Sequence, residues 1–353
     1  MPLEIGLLGA TQIAEHTLLQ PCRRLQQPAL PQQSLPHQRD LHQRSGPPQQ
    51  SGVRGNERGA EVIVRAVAAS DPVRAKEYAS RNGIPVVHET YSALLADPAI
   101  DAVYICLHNS AHHRWAVRAA IAGKHVIVEN PLCLTAEEAT ELAFAATNVK
   151  IFEAVATADH PWQQTVHDFI HEEPYGSLLN ATTRMRLELP APSRDRPELG
   201  GGIFHDTASY WLQALQATIG LDPVIAEGRS AFDGPNGADR SFEASLRWAT
   251  KVEATLTADV GKGHLSDHVF TFERATVELR NFLRPVAGPA PLNLIVTPAD
   301  GDRRVIGFPP VAYYERQLAR ILDSTTDDLA MALPRIILMD EIYSDALRRK
   351  ENE

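Results

Sequence analysis

Three things are scarce in this chain, and each scarcity excludes something. Basic residues are outnumbered, 34 Lys and Arg against 44 Asp and Glu, for a formal net charge of -10. A general nucleic-acid binder needs clustered cations to neutralise phosphates, so that class is set aside. No apolar run reaches the roughly 18 residues a spanning helix requires, and no membrane segment is expected. Cysteine is limited to Cys22, Cys106 and Cys133. That odd number, without a CxxC spacing, favours a reducing compartment. No basic n-region precedes "LEIGLLGA", so no signal peptide is expected and the cytoplasm is the expected location. What remains is ordinary for a soluble globular chain, with 44% apolar and 22% charged residues. At 353 residues, two domains are expected.

The texture divides the chain. A short strand over Leu3 to Gly9 and a helix over Gln12 to Leu25 are followed by a stretch rich in Gln, Pro, Arg and Gly, residues 26–61. It has too few large apolar residues to offset the entropy of ordering, and disorder is expected there. PxxP-like pieces within it could bind a partner domain; a linker without a role is the plainer reading. From "VIVRAVAAS" onward, apolar strands alternate with helices as far as Ala154. Such alternation implies a parallel sheet with crossover helices, covered on both faces. Beyond Pro161 the pattern turns to alternating strands such as "FEASLRWAT" and "VEATLTADV", which fit a half-exposed antiparallel sheet. The expectation is an α/β Rossmann domain over 1–155, then an α+β domain with a large, mostly antiparallel open sheet over 156–353.

"GLLGATQIA" lies between the first strand and the first helix, where a dinucleotide-binding turn belongs. Gly9 and Ala14 fill two of its three small positions, and Thr11 occupies the middle one. A simple βα turn is the alternative. In the binding reading, Gly9, Thr11, Gln12 and Ile13 face the cofactor. The second strand ends at Ser70-Asp71. Asp71 would suit a free ribose 2′-hydroxyl, whereas Ser70 with Arg74 could accommodate a 2′-phosphate. The cofactor is therefore NADP or NAD, with NADP preferred. The strand "HVIVE" ends in Glu129-Asn130-Pro131, and the proline restricts the backbone of Asn130.

Several stretches together carry a resemblance: "GLLGATQIA", "AVAASDPVRAKEYASRNGIP", "YSALLADPAIDAVYICLHNSAHHRWAVRAAIAGKHVIVENPL", Glu153 to Pro161, and "LGGGIFHDTASY". They resemble the glucose–fructose oxidoreductase / inositol dehydrogenase (Gfo/Idh/MocA) family, in its dihydrodiol- and xylose-dehydrogenase-like branch. The resemblance implies hydride transfer between a nicotinamide and a sugar, polyol or diol. It also implies a homo-oligomer formed through the C-terminal sheet. In that family the "HVIVE" strand ends Glu-Lys-Pro, and the Lys exchanges the proton of the reacting hydroxyl. Here the position is Asn130, whose carboxamide only donates and accepts hydrogen bonds. The catalytic set implied is then Tyr210 as proton donor, Asp206 four residues earlier on the same helix face, and Asn130 orienting a substrate oxygen or the nicotinamide. Asn109, His112 and Glu129 match positions beside the cofactor. A helix N-cap by Asn109 or Ser110, a packing histidine and an Asp near a helix start are the structural alternatives. His205 is expected to point elsewhere. Thr157-Ala158 departs from the aromatic or basic residues usual there.

His167 and His171 stand four apart on a helix without a third ligand, so no metal is expected. Arg184 and Arg186 share a strand face and could grip an anion or be solvated. Two other functions fit the same scaffold: a non-redox lyase or isomerase, and a catalytically silent homologue.

Overall fold

The computed structural model describes residues 2–26, 62–188, 192–325 and 327–352. From residue 27 on, the segment expected to be disordered lies outside the described residues, and its PxxP pieces with it. Six parallel strands build the first sheet: β1 (Leu3–Leu8), β2 (Val62–Ala68), β3 (Val86–Val87), β4 (Ala102–Ile105), β5 (His125–Glu129) and β6 (Ile151–Ala154). Their spatial order is β3-β2-β1-β4-β5-β6. The order reverses between β1 and β4, so the crevice beyond their carboxyl ends is where an open α/β sheet binds ligands.

Local chemistry sets the elements around that crevice. After β1 the chain runs through α1 (Gln12–Ala14), a π-helical turn (Glu15–Leu19) and α2 (Gln20–Leu25). Pro21 has no amide hydrogen for the α-helical ladder, and the wider turn lies just before it. α3 (Pro72–Asn82) starts on an Asp71 cap with Pro72 at its first position. It ends at Gly83 in the left-handed region, φ 69°. α4 (Tyr91–Leu95), α5 (Asn109–Ile121) and α6 (Ala136–Ala145) complete the layers.

The second sheet has eight strands in the order β14-β13-β12-β11-β7-β10-β9-β8. They are β7 (Leu178–Leu187), β8 (Ile225–Arg229), β9 (Ser241–Arg247), β10 (Glu253–Val260), β11 (Leu265–Phe272), β12 (Ala275–Leu279), β13 (Ala290–Pro298) and β14 (Arg304–Val311). β7 and β10 pair in parallel, and the remaining neighbours are antiparallel. In β11 every second residue is buried, Ser266, His268, Phe270 and Phe272. α7 (Pro161–Glu172), α8 (Ile203–Thr218) and α10 (Leu329–Glu351) pack against this sheet or one another, around Trp162, Phe204, Trp211, Phe242 and Phe270. α9 (Tyr313–Asp323) and α10 return to the first sheet, where Leu318, Ile321, Ala332 and Ile336 enter its cores. No helix among the described residues is long and apolar enough to cross a membrane.

Candidate active site

β1 and β4 end side by side. Gly9 has φ +111°, and a Cβ there would lie 2.2 Å from the Cys106 carbonyl oxygen, so only glycine allows this approach. Thr11 caps the following helix: its hydroxyl accepts from the Ala14 amide at 3.2 Å and lies 3.0 Å from Cys106 Sγ. A hollow of about 650 Å³ opens here, lined by Gly9, Thr11, Gln12, Ile13, Ser70 and Arg74 among others. Arg74 donates to the Ser70 hydroxyl at 3.3 Å. The Asp71 carboxylate instead accepts from the Val73 and Arg74 amides at 2.8 and 3.5 Å. Its expected ribose contact therefore competes with the helix cap it already makes.

A second cavity of about 670 Å³ adjoins the first, sharing Ile13, Cys106, Leu107, Asn109 and Arg194 with it. It brings together Glu129, Asn130, Asp206 and Tyr210. Asn130 precedes a cis-proline and donates to the Ala154 carbonyl at 3.1 Å and to the Tyr210 hydroxyl oxygen at 3.4 Å. Burial and the neighbouring Glu129 push the Tyr210 phenol up to about 12, opposed by Asn130 and Arg194. It is therefore protonated at neutral pH. Burial also raises Glu129, while the Tyr104 hydroxyl donates to it at 2.6 Å.

The remaining expected site residues are held by backbone. Asn109 donates to the Gly200 carbonyl at 2.9 Å. The two ring nitrogens of His112 lie 2.8 Å from the Pro131 oxygen and 3.2 Å from the Leu107 oxygen. Both residues line the cavity. His205 is buried away from it, its ring 4.4 Å from that of Tyr343. His167 and His171 stack at 3.9 Å on the surface, and no group of three or more metal-capable side chains occurs among the described residues. Arg184 and Arg186 are exposed on β7 and do not line the cavity; Arg186 pairs with Asp259 at 2.6 Å.

Three participants were not anticipated. Arg194 lines both hollows and is ion-paired with Asp206. Tyr314 of α9 closes one wall. Behind Asn130, Glu153 accepts from the Leu132 amide at 3.3 Å, from Ser209 at 2.9 Å and from Arg335 at 2.5 Å. An isolated Arg in a loop, and an Arg inside an amphipathic helix, carry no spacing that marks them.

A six-stranded parallel sheet with its switch-point crevice and glycine turn defines a dinucleotide-binding α/β architecture. The pattern of the oxidoreductase family with NAD-binding Rossmann fold matches residues 48–154, and that of the GFO/IDH/MocA C-terminal domain matches residues 163–272. An oxidoreductase of Rhizobium meliloti, itself described as uncharacterized, is 34% identical over 233 residues, 64% of this chain and 69% of that one. D-xylose 1-dehydrogenase (NADP(+)) 2 of Haloferax volcanii is 33% identical over 204 residues, 56% of this chain and 62% of that one. The chain thus matches between six and seven tenths of the length of these relatives. Among solved structures, a 3-ketoreductase from Actinomadura kijaniata in complex with NADP and TDP-benzene superposes with a TM-score of 0.79 at 21% identity, covering 98% of each chain. The chain belongs to the Gfo/Idh/MocA family of NAD(P)-binding oxidoreductases. The hollow lined by Gly9, Thr11, Ser70 and Arg74 fits the dinucleotide that family carries.

Proposed function

We propose that this protein is an NADP-preferring oxidoreductase that interconverts a hydroxyl and a carbonyl on a sugar-, polyol- or diol-like substrate, with Tyr210 as the proton carrier. When bound, the nicotinamide supplies or accepts the hydride. Tyr210 carries the reading: its phenol faces the cavity while Asn130 donates to its oxygen, which leaves its own hydrogen free to be given to a substrate carbonyl. In reduction, the carbonyl carbon takes the hydride, the carbonyl oxygen takes the Tyr210 proton, and the phenolate recovers a proton from solvent. Oxidation runs the reverse. Asn130, where the family resemblance has Lys, acts by orienting Tyr210 and exchanges no proton itself.

Ser70 and Arg74 support a 2′-phosphate partner, because the Asp71 carboxylate is occupied as a helix cap. A homo-oligomer through the eight-stranded sheet and a cytoplasmic location belong to the same reading. They are supported by the half-exposed outer face of that sheet and by three free, buried cysteines. The test is a fluorescence titration with NADPH and NADH, followed by a screen of sugars and cyclic diols on the wild type and on Tyr210→Phe. Saturable NADPH binding is expected, with turnover reduced by about 10² to 10⁴ in the variant and nucleotide affinity unchanged. Turnover that survives Tyr210→Phe refutes the assignment.

A further inference from the structure

With a carboxamide at position 130, the cavity still contains a cation, and it comes from another part of the chain. Arg194 sits on the 3-10 turn Pro192–Asp195. That turn rests on the backbone of Gly201: a Cβ there would meet the Ser193 and Arg194 carbonyl oxygens at 2.6 Å. The guanidinium turns inward to the carboxylate of Asp206, which is only 6% exposed. Asp206 and Tyr210 are four residues apart on α8, on one face of the helix. Arg194 therefore lines the same cavity as Tyr210, at the boundary of the two hollows. Among the described residues no lysine lines either hollow; of the other basic side chains of the catalytic cavity, His264 and Arg284 are at exposed positions, and His112 is buried with both ring nitrogens against backbone carbonyls.

The charges facing Tyr210 make this placement matter. Glu129 on β5 and Glu153 on β6 are carboxylates, Asp206 lies on its own helix, and Tyr314 of α9 and Cys106 beyond β4 are neutral groups nearby. Glu153 is neutralised by Arg335, whereas Glu129 forms no ion pair among the described residues and accepts from the Tyr104 hydroxyl. When Tyr210 gives up its proton, negative charge appears on an oxygen that already faces Glu129. Arg194 is the one cation among these neighbours that is not already neutralising Glu153.

We propose that Arg194, anchored by Asp206, stabilises the negative charge that forms on the Tyr210 oxygen as its proton is transferred, supplying the charge that Asn130 lacks. This rests on the assignment of Tyr210 as proton carrier. Asp206 is then a positioning residue: it holds the guanidinium and touches no reacting atom. The step balances without a further reagent, because the proton leaving Tyr210 goes to the substrate oxygen and Arg194 keeps its own protons.

The first readout needs no substrate. 3-Fluorotyrosine is installed at position 210, and its fluorine resonance is followed against pH in the full-length protein. Arg194→Met should raise the titration midpoint by about one unit or more, and Arg194→Lys should restore part of the shift. Asp206→Asn, which frees the guanidinium to move, should also change the midpoint. NADPH affinity is measured on the same samples to confirm a folded site, and Arg194→Lys serves as the second variant should Arg194→Met not fold. A midpoint indifferent to Met and Lys at position 194 overturns the proposal. Tyr210→Phe turnover separates the two levels. An inactive Tyr210→Phe with an unmoved midpoint sinks Arg194 alone, and an active Tyr210→Phe sinks the proton-carrier assignment and the catalytic role of Arg194 with it.

Discussion

Asn130 Nδ2 lies 3.4 Å from the hydroxyl oxygen of Tyr210, and the same amide is tied to the Ala154 carbonyl at 3.1 Å. The second bond fixes the first: a carboxamide held by the end of β6 cannot rotate away from the phenol. Because Asn130 donates, the Tyr210 oxygen accepts, and its proton is directed elsewhere.

A phenol pushed up to about 12 is almost wholly protonated near neutrality, so the proton donor is populated and the phenolate base is scarce. Reduction should therefore be nearly independent of pH across the neutral range, while oxidation climbs with rising pH as the phenolate fraction grows. Asn130→Lys puts an ammonium beside the oxygen and should move the oxidation limb to lower pH by about 1 to 3 units. Asn130→Asp should move it the other way. Rate profiles of kcat in both directions decide this; oxidation limbs that coincide in pH for all three proteins would refute it.

At the other end of the crevice, Arg74 bonds Ser70 while Asp71 caps α3. Arg74→Ala should weaken NADPH binding about tenfold or more, the scale of one lost charge-assisted contact, and leave NADH binding nearly unchanged. Asp71→Ala should cost about 1 kcal/mol of stability through the lost cap. Fluorescence titration and urea unfolding separate the two effects. An equal loss for both nucleotides would show that Arg74 does not discriminate between them.

These contrasts also mark what was legible before the fold was known. α3 carries its boundaries in the sequence, because Asp71-Pro72 and Gly83 are strong boundary signals. β8 and β14 were not. β14 contains Gly307, Pro309 and Pro310, and β8 is a short strand containing Glu227, Gly228 and Arg229. Both are edge strands, where lost ladder bonds are tolerated and the pattern need not alternate. Tyr210 and Asn130 could be paired only through the family resemblance, since 80 residues separate them. Arg194 escaped notice because its contact with Asp206 depends on a turn packed against Gly201, which no periodicity announces.

Glu153 and Arg335 form a buried pair at 2.5 Å, joining β6 to α10. Removing one charge leaves the other uncompensated in the interior, a loss of about 3–5 kcal/mol. Glu153→Gln keeps an oxygen for Leu132 and Ser209, so its effect reports the charge alone. Unfolding by urea should show a loss of that size, and Glu153→Gln with Arg335→Met should recover part of it. A single variant as stable as the wild type would show the pair to be dispensable.

Four buried imidazoles make the fold sensitive to acid. Burial lowers His112, His160 and His205 to about 4 and His268 to about 3. Unfolded, each would titrate near 6.5. Between those values the unfolded chain binds protons that the folded chain refuses, so the stability present above about pH 6.5 is lost as pH falls toward 4. Each imidazole contributes up to about 1.4 kcal/mol per pH unit in that window. Asp239, raised to about 7 by burial, and Glu129, raised likewise, act in the opposite sense: their contribution is present at low pH and is lost as pH rises. Four groups outweigh two. The melting temperature should therefore fall from pH 7 to pH 5, and His268→Gln should flatten the slope, because His268 has only Thr183 as a polar partner and stacks on Phe282 at 4.1 Å. A melting temperature that holds steady or rises toward pH 5 would mean that the buried carboxyls, not the imidazoles, govern the acid limb.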